Sequence, residues 1–179
     1  MSKLYFYRTN SEIDQEVRDY IIDANLDRTT MQGGQGSLNA LSNLRKSKVK
    51  WIPTNHWIAG MMSHYIHAAN TEIFQYDLTY WESDIQYTIY DEGDRYGWHV
   101  DTTQNLEIQR KLSISLCLSS PDEYEGGEFQ ILCGRTRHTI KMEIGDVIVF
   151  PSDTWHRVKS VRSGQRISLV GWYTGPRFK

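Results

Sequence analysis

The chain has 179 residues, a formal net charge of −2, two cysteines and six histidines. That length suits a single domain, 1–179, able to bury roughly two-thirds of its unfolded surface, and the near-neutral charge lacks the basic excess of a dedicated nucleic-acid binder. No apolar run approaches the roughly 20 residues of a membrane span, and Met1–Asn10 has no signal-peptide core; Cys117 and Cys133, both in strand-like apolar runs, read as reduced core thiols in a cytoplasmic protein.

Taken in chain order, Ser11 followed by Glu12, Asp14 and Glu16 predicts a helix start. Ile13, Val17, Tyr20, Ile21 and Ala24 then form its apolar face. Residues 31–48 are Gly/Ser/Asn-rich and then basic, which predicts a loop, with Arg45–Lys50 as a solvated basic run. A second helix is expected over 54–69, with Pro53 just ahead and Trp57, Ile58, Met61, Met62, Tyr65 and Ile66 as its stripe. From about residue 72 the pattern changes to short β-rich runs, predicting strands near 73–80, 85–90, 96–101, 111–118, 127–133, 137–142, 146–150, 155–161 and 166–173. The segment Glu125-Gly126-Gly127-Glu128 reads as a turn. Many short strands without intervening helices predict a mainly β, α+β domain. Its core over 72–174 is a jelly roll, that is a double-stranded β-helix, and the helices of 1–70 support one sheet.

The chemistry concentrates in Tyr90–Asp101 (YDEGDRYGWHVD), where His99 and Asp101 stand two apart on a predicted strand and so share a face. An imidazole and a carboxylate side by side are two of the three ligands of the facial triad that holds non-haem Fe(II). By itself the pair is a weak signal. PSDTWHRV (Pro151–Val158) supplies a third ligand candidate in His156. If Arg162-Ser163-Gly164 closes a hairpin with Gly164 in the left-handed position, His156 opposes Val170 and shares a face with Arg166. The offset is roughly 13 Å at about 3.3 Å per residue. A short dicarboxylate on the metal would then place its far carboxylate within reach of a bidentate guanidinium.

His99-x-Asp101, His156 and Arg166 ten residues later resemble the Fe(II)/2-oxoglutarate-dependent dioxygenases. More narrowly, YGWHVD, RKLSISLCLSSPDEYEGGEF, GDVIVFPS and WHRV…SGQRISLVGW resemble the prolyl-4-hydroxylase-like group and its small PKHD-type hydroxylases of bacteria and phages, over about 86–174. The resemblance implies that His99, Asp101 and His156 ligate Fe(II) and that Arg166 binds the distal carboxylate of 2-oxoglutarate. No catalytic residue beyond the metal ligands is implied. Tyr90 matches a tyrosine that lines the cosubstrate pocket, and Tyr96 matches the aromatic before the metal motif. One departure is that a central-strand tyrosine that supports the distal carboxylate in some prolyl hydroxylases falls here near Cys117, which leaves Tyr90, Ser115 or Ser168 to support Arg166. O2 is the co-reactant, with ascorbate a supporting reductant. The implied reaction is hydroxylation of a C–H bond, in a prolyl or other amino-acid side chain of a protein or peptide, coupled to conversion of 2-oxoglutarate to succinate and CO2. Asp101 itself favours hydroxylation over halogenation, since related halogenases carry a small residue there.

Three alternatives stand beside this reading: a non-enzymatic jelly-roll binding module, an oxygenase acting on a free small molecule, and a cupin-like oxygenase whose substrate chelates the metal directly. The remaining histidines read as background, with His56, His64 and His67 on a polar helix face and His138 on a strand. Trp51, Trp57, Trp81 and Trp172 are expected in the core, with Trp98 and Trp155 facing away from the pocket. Residues 31–48 and 102–110 are expected to flank its entrance.

Overall fold

The computed structural model describes residues 6–26, 44–102 and 108–177. Among them thirteen strands form two principal sheets and a small pair. The first sheet runs β1 (Tyr7–Asn10), β10 (Asp146–Pro151), β6 (Ile108–Cys117), β13 (Arg166–Pro176), β4 (Ile85–Tyr90) and β3 (Lys48–Ile52). The second runs β2 (Arg45–Lys46), β5 (Arg95–His99), β11 (His156–Val158), β8 (Phe129–Cys133) and β9 (Thr136–Ile140); β12 (Val161–Gly164) pairs with β7 (Tyr124–Gly126). Every pairing is antiparallel. From β4 onward the chain passes back and forth between the two principal sheets, the double-stranded β-helix expected of the 72–174 region.

Alternation along the long central strands explains why this architecture forms. On β6, Leu112, Ile114 and Leu116 enter a core shared with the helices, while Ser113, Ser115 and Cys117 face the second sheet. On β13, Ile167, Leu169 and Tyr173 enter the same core, and Arg166, Ser168, Val170 and Trp172 face inward. On β4, Ile85, Tyr87 and Ile89 pack outward against the helices, leaving Gln86 and Tyr90 for the interior. The first sheet therefore has one apolar face against the helices and one mixed face, where polar residues for a site stand beside Tyr90, Cys117, Ile148 and Phe150, which pack in a second apolar cluster with the other sheet. Gly171 belongs to the apolar face because a Cβ there would stand 2.6 Å from the Trp81 ring.

The helical layer departs from expectation in its details. Helix α1 is Gln15–Leu26, three residues short of the Ser11 start, because the Ser11 hydroxyl bonds the Gly145 carbonyl (2.8 Å) and Asp14 caps the helix through Val17 N (2.8 Å). Its buried face is also rotated: Arg18 and Ile21 point inward, whereas Val17 and Tyr20 are exposed; the Ala24 side chain lies outside the described residues. Helix α2 is Trp57–Ala69, capped by the His56 ring, and continues into a π-helical turn, Asn70–Phe74.

The strand expected at 73–80 is absent. Gln75 adopts a left-handed conformation (φ 55°), and the Asn70 side chain bonds both N–H and C=O of Tyr76 (2.8 and 2.9 Å), which fixes a turn in place of a strand. The stretch is tied to β13 by an isolated bridge, Trp81 with Tyr173, and by backbone bonds from Thr79 N to Thr174 O (2.8 Å) and from Thr174 N to Tyr80 O (2.9 Å), without forming a strand. Conversely, Arg45–Lys50 is no solvated loop. It forms β2 and most of β3 in two different sheets, with Lys50 buried. Trp51 and Trp57, expected in the core, are 42% and 45% exposed, while Trp172 is buried and Trp81 packs against the core. Glu125-Gly126 belongs to β7 rather than to a simple turn. Positions 31–43 of the Gly-rich segment 31–48, and positions 103–107 of the expected entrance, lie outside the described residues. Among the described residues no helix is long and apolar enough to cross a membrane.

Candidate functional site

The hairpin that was to join His156 to Arg166 does not exist. β11 pairs with β5 and β8 in the second sheet, whereas β13 pairs with β4 and β6 in the first. The two residues nevertheless line one cavity, because the sheets face each other across it. Inward orientation on opposite walls replaces the cross-strand relation that the sequence suggested. The cross-strand partner of His156 is His99 itself, their ring centroids 4.1 Å apart.

β5 ends at His99, so Asp101 lies two residues past the strand rather than within it. Its backbone N–H donates to Ser152 O (2.8 Å) and its carbonyl accepts from Arg110 (3.2 Å), which turns the carboxylate back toward the imidazoles. His99 Nε2 is 3.5 Å from Asp101 Oδ1 and His156 Nε2 is 3.4 Å from Oδ2. The three ligand atoms converge within 4.8 Å of one another, and all three residues are buried.

The hydrogen bonds around this trio suit a divalent metal. His99 Nδ1 pairs with Gly97 O at 2.8 Å and His156 Nδ1 with Thr154 O at 2.9 Å. A carbonyl can only accept, so each Nδ1 carries the proton and each Nε2 presents its lone pair to the common centre. Ser113 donates to Asp101 Oδ2 (2.8 Å) and is bonded to Ser152 (2.9 Å), fixing the carboxylate from behind. Burial pushes the Asp101 carboxyl up, but His156 and His99 outweigh it and hold the group below the ordinary carboxylate range. Burial pushes the His156 imidazole down and favours its neutral form. Two neutral nitrogens and one carboxylate oxygen are the donor set of a facial-triad iron site.

Arg166 is 1% exposed. Its Nη1 donates to Ser168 (3.1 Å), its Nη2 approaches Met142 Sδ (3.7 Å), and its Nε, equally buried, has no hydrogen-bond partner. A buried guanidinium with spare donors fits an anion that is bound only when the ligand is present. Tyr90 is its direct neighbour across the β4–β13 ladder, with the guanidinium 5.7 Å from the ring centre. Tyr96 stacks on the His99 ring (3.5 Å, 12°) and carries the Arg45 guanidinium over its own ring at 4.8 Å. Of the supports considered for Arg166, Ser168 bonds it, Tyr90 packs on it, and Ser115 lines the cavity farther along. Gln86, Ile114, Phe129, Phe150, Val158 and Trp172 complete the walls, leaving a space of about 40 Å³.

Ser113, Ser152, Arg110 and Trp172 are site residues that motif reading did not find. Arg110 stacks on the Trp172 indole (4.1 Å) and pairs with Glu82 (2.6 Å). The alternating serines of β6 were visible as small polar residues between Leu112, Ile114 and Leu116, and that pattern could have marked a site-facing wall. Trp98 lies under Arg157 (4.8 Å) and Trp155 is half exposed, both away from the pocket as expected. His64, His67 and His138 are exposed, and His56 is a helix cap.

The geometry agrees with comparison to known proteins. Two PKHD-type hydroxylases are similar: one from Janthinobacterium sp. (strain Marseille) is 39% identical over 89 residues, covering 46% of this chain and 39% of the relative. The other, from Synechococcus sp. (strain CC9902), is 44% identical over 82 residues, covering 45% and 36%. The match thus spans less than two-fifths of the length of these relatives. Among solved structures, a viral collagen prolyl hydroxylase from Paramecium Bursaria Chlorella virus-1, in complex with 2OG, superposes with TM-score 0.75 at 21% identity, covering 96% of this chain and 97% of that one. A Trichoplax adhaerens prolyl hydroxylase, bound to a peptide fragment of the hypoxia inducible factor oxygen degradation domain, gives 0.77 at 17%, covering 94% and 83%. At such identities these two show the shared fold. The profile of the 2OG-Fe(II) oxygenase superfamily matches residues 85–174, which contain the whole trio and Arg166, and the chain belongs to that superfamily.

Proposed function

We propose that this chain is an Fe(II)- and 2-oxoglutarate-dependent hydroxylase acting on a C–H bond of an amino-acid side chain in a protein or peptide, with prolyl the first candidate. The observation that carries the reading is the convergence of His99, Asp101 and His156 on one wall with buried, donor-rich Arg166 facing the same cavity. His99 and His156 would hold Fe(II) through Nε2 and Asp101 through its carboxylate. Arg166, steadied by Ser168, would receive the distal carboxylate of 2-oxoglutarate, with Tyr90 and Tyr96 flanking the cosubstrate and the metal. Bound iron would supply the oxidising chemistry that couples O2 and decarboxylation of 2-oxoglutarate, giving succinate and CO2, to insertion of hydroxyl into the C–H bond. The protein's part is orientation and exclusion of water. Backbone carbonyls fix both imidazoles, Ser113 fixes the carboxylate, and Phe129, Phe150 and Val158 keep the walls apolar.

A peptide substrate draws support from the peptide-bound prolyl hydroxylase of the same fold and from the viral enzyme described as a collagen prolyl hydroxylase. A single catalytic domain is supported by one core that joins α1, α2 and the first sheet. A reducing, cytoplasmic setting is supported by Cys117 and Cys133, which are both free and buried. The test is succinate release from 2-oxoglutarate over a panel of proline-containing peptides and free metabolites, with His156→Ala as control. Peptide-stimulated succinate, lost in the variant, supports the reading. Stimulation only by a free small molecule moves the substrate class. A binding module would consume no 2-oxoglutarate with any member, and a metal-chelating substrate oxidised without 2-oxoglutarate would point to a cupin-like enzyme.

A further inference from the structure

Cys117 occupies the central-strand position opposite Ser168, the residue that bonds Arg166. Its thiol turns to Ser119 O (3.5 Å) and gives Arg166 no hydrogen bond. Beyond the Ser168 bond within its own strand, the side chain on which an anion would depend therefore receives no hydrogen bond from Cys117 of β6. The loop between β6 and β8 surrounds it instead. Ser119 Oγ accepts from Ile167 N (2.7 Å) and donates to Gln165 O (3.2 Å), and Glu123 O accepts from Gln165 N (3.3 Å). Both chain neighbours of Arg166 are thus tied to this loop.

The loop also packs on the side chain. Gly127, in a left-handed conformation (φ 61°), lies so close that a Cβ would stand 3.1 Å from Arg166 Cδ and 3.2 Å from the Tyr124 ring. Burial raises the Tyr124 phenol pKa, and the Arg166 charge opposes that rise without cancelling it. Tyr124, Met142 and Arg166 line a second cavity of about 230 Å³, whose lining includes none of the three cluster residues.

What holds the loop is an ion pair between buried Arg18 of the helical layer and the more exposed Glu123. Arg18 of α1 is 8% exposed; it donates to Leu118 O (2.6 Å) and to both Glu123 carboxylate oxygens (2.6 Å each). Glu123 also accepts from Ser120 N (2.8 Å). Both carboxylate oxygens accept from the one nitrogen Nη2 while Nε holds Leu118 O, so the guanidinium ties the loop at two points through charge-assisted bonds.

We propose that the Arg18–Glu123 pair and Tyr124 are positioning residues for cosubstrate binding: they brace Arg166 through the loop between β6 and β8, in place of a side chain from β6, and so set affinity for the distal carboxylate of a 2-oxo diacid. The inference rests on the reading of Arg166 as the receptor of that carboxylate. Positioning, not contact with the ligand, is the role assigned to them. Their contribution is to hold the guanidinium at one distance and tilt, so that its spare donors meet the anion without reorganisation.

The test is equilibrium binding to the full chain loaded with Mn(II), which keeps the cosubstrate from turning over. Two probes are compared, 2-oxoglutarate and 2-oxovalerate, which share the chelating end but differ in the distal carboxylate. Tyr124→Phe keeps the ring and removes the hydroxyl; Glu123→Gln keeps the shape and removes the charge. Each variant is expected to raise the Kd for 2-oxoglutarate about 5- to 20-fold and to leave 2-oxovalerate within about twofold. Equal weakening of both probes would make the residues merely structural and overturn the inference, as would unchanged 2-oxoglutarate binding in both variants. Should Glu123→Gln fail to fold, Tyr124→Phe alone decides on the same criterion. The underlying reading fails separately, if the wild-type chain binds 2-oxoglutarate no tighter than 2-oxovalerate.

Discussion

The two principal sheets of this molecule differ in what they are built for. The first has six strands of four to eleven residues, and the outer face of Leu112, Ile114, Leu116, Ile167, Leu169 and Val149 is buried against two helices. The second has strands of two to five residues and, among the described residues, no long helix packed on it, yet it or the turn beside it carries His99, Asp101 and His156. Long alternating strands make a rigid apolar layer; short strands end in turns, and turns redirect side chains. Asp101 reaches the two imidazoles because β5 stops at His99 and Ser152 O catches its backbone. Stability should therefore reside in one sheet and metal binding in the other, with Arg166 the contribution of the stable sheet to the site.

Four substitutions can break that division. His99→Ala is expected to lower 2-oxoglutarate turnover by about three orders of magnitude or more, while shifting the thermal midpoint by only a few degrees. This follows from removing a ligand that the apolar core does not use. Parallel succinate assays and thermal melts check both halves. Leu116→Ala should do the reverse, costing about 2–5 kcal/mol of folding free energy by leaving a cavity in the helical core. Metal affinity of the fraction that remains folded should be unchanged, as denaturant unfolding with a metal titration would show.

Arg166→Met sits between the two. It removes a buried charge whose Nε lacks a partner, so the ligand-free protein is expected to be unchanged or more stable by up to about 4 kcal/mol. Affinity for 2-oxoglutarate should fall about 100-fold. Unfolding curves with and without 2-oxoglutarate would reveal this opposition, and a strongly destabilised apo variant would contradict it. The smallest effect belongs to the Lys48–Asp91 contact between β3 and the turn after β4. Hydrogen bonding to Lys48 lowers the Asp91 pKa from 3.8, and the same bond raises that of Lys48 from 10.5. The carboxylate's contribution is thus full above pH 3.8 and is lost as pH falls through the lower folded value; that of the ammonium is full below pH 10.5 and is lost above it. Lys48→Met should show a slight stability deficit that is flat at neutral pH and vanishes at both extremes, measurable by melts across pH.

The same contrast governs what could be read from the sequence. The strands of the first sheet announce themselves, since RKLSISLC alternates without interruption and ISLVGW follows it closely. The metal trio was legible from residue type and spacing. Its route was not: the hairpin argument put His156 and Arg166 on neighbouring strands, and they arrive from opposite sheets. Sequence spacing carries no information on which sheet a short strand joins. Arg45–Lys50 was misread because its lysines look solvated, although Val49 and Ile52 are buried and β3 completes the edge of the first sheet. Arg18 was unreadable for a related reason. Its inward turn depends on Glu123, a partner more than a hundred positions away, and it rotates the apolar face of α1 away from Val17 and Tyr20.

The central claim is that residues from the two sheets act on one molecule of 2-oxoglutarate, and an anaerobic spectroscopic titration tests it most directly. Adding 2-oxoglutarate to the Fe(II)-loaded chain should produce the weak visible charge-transfer band of a chelated 2-oxo acid. The band should be absent in His156→Ala, and in Arg166→Met it should appear only at about 100-fold higher 2-oxoglutarate. A wild-type chain that binds Fe(II) but gives no band, or a band whose concentration dependence ignores Arg166, would contradict the account.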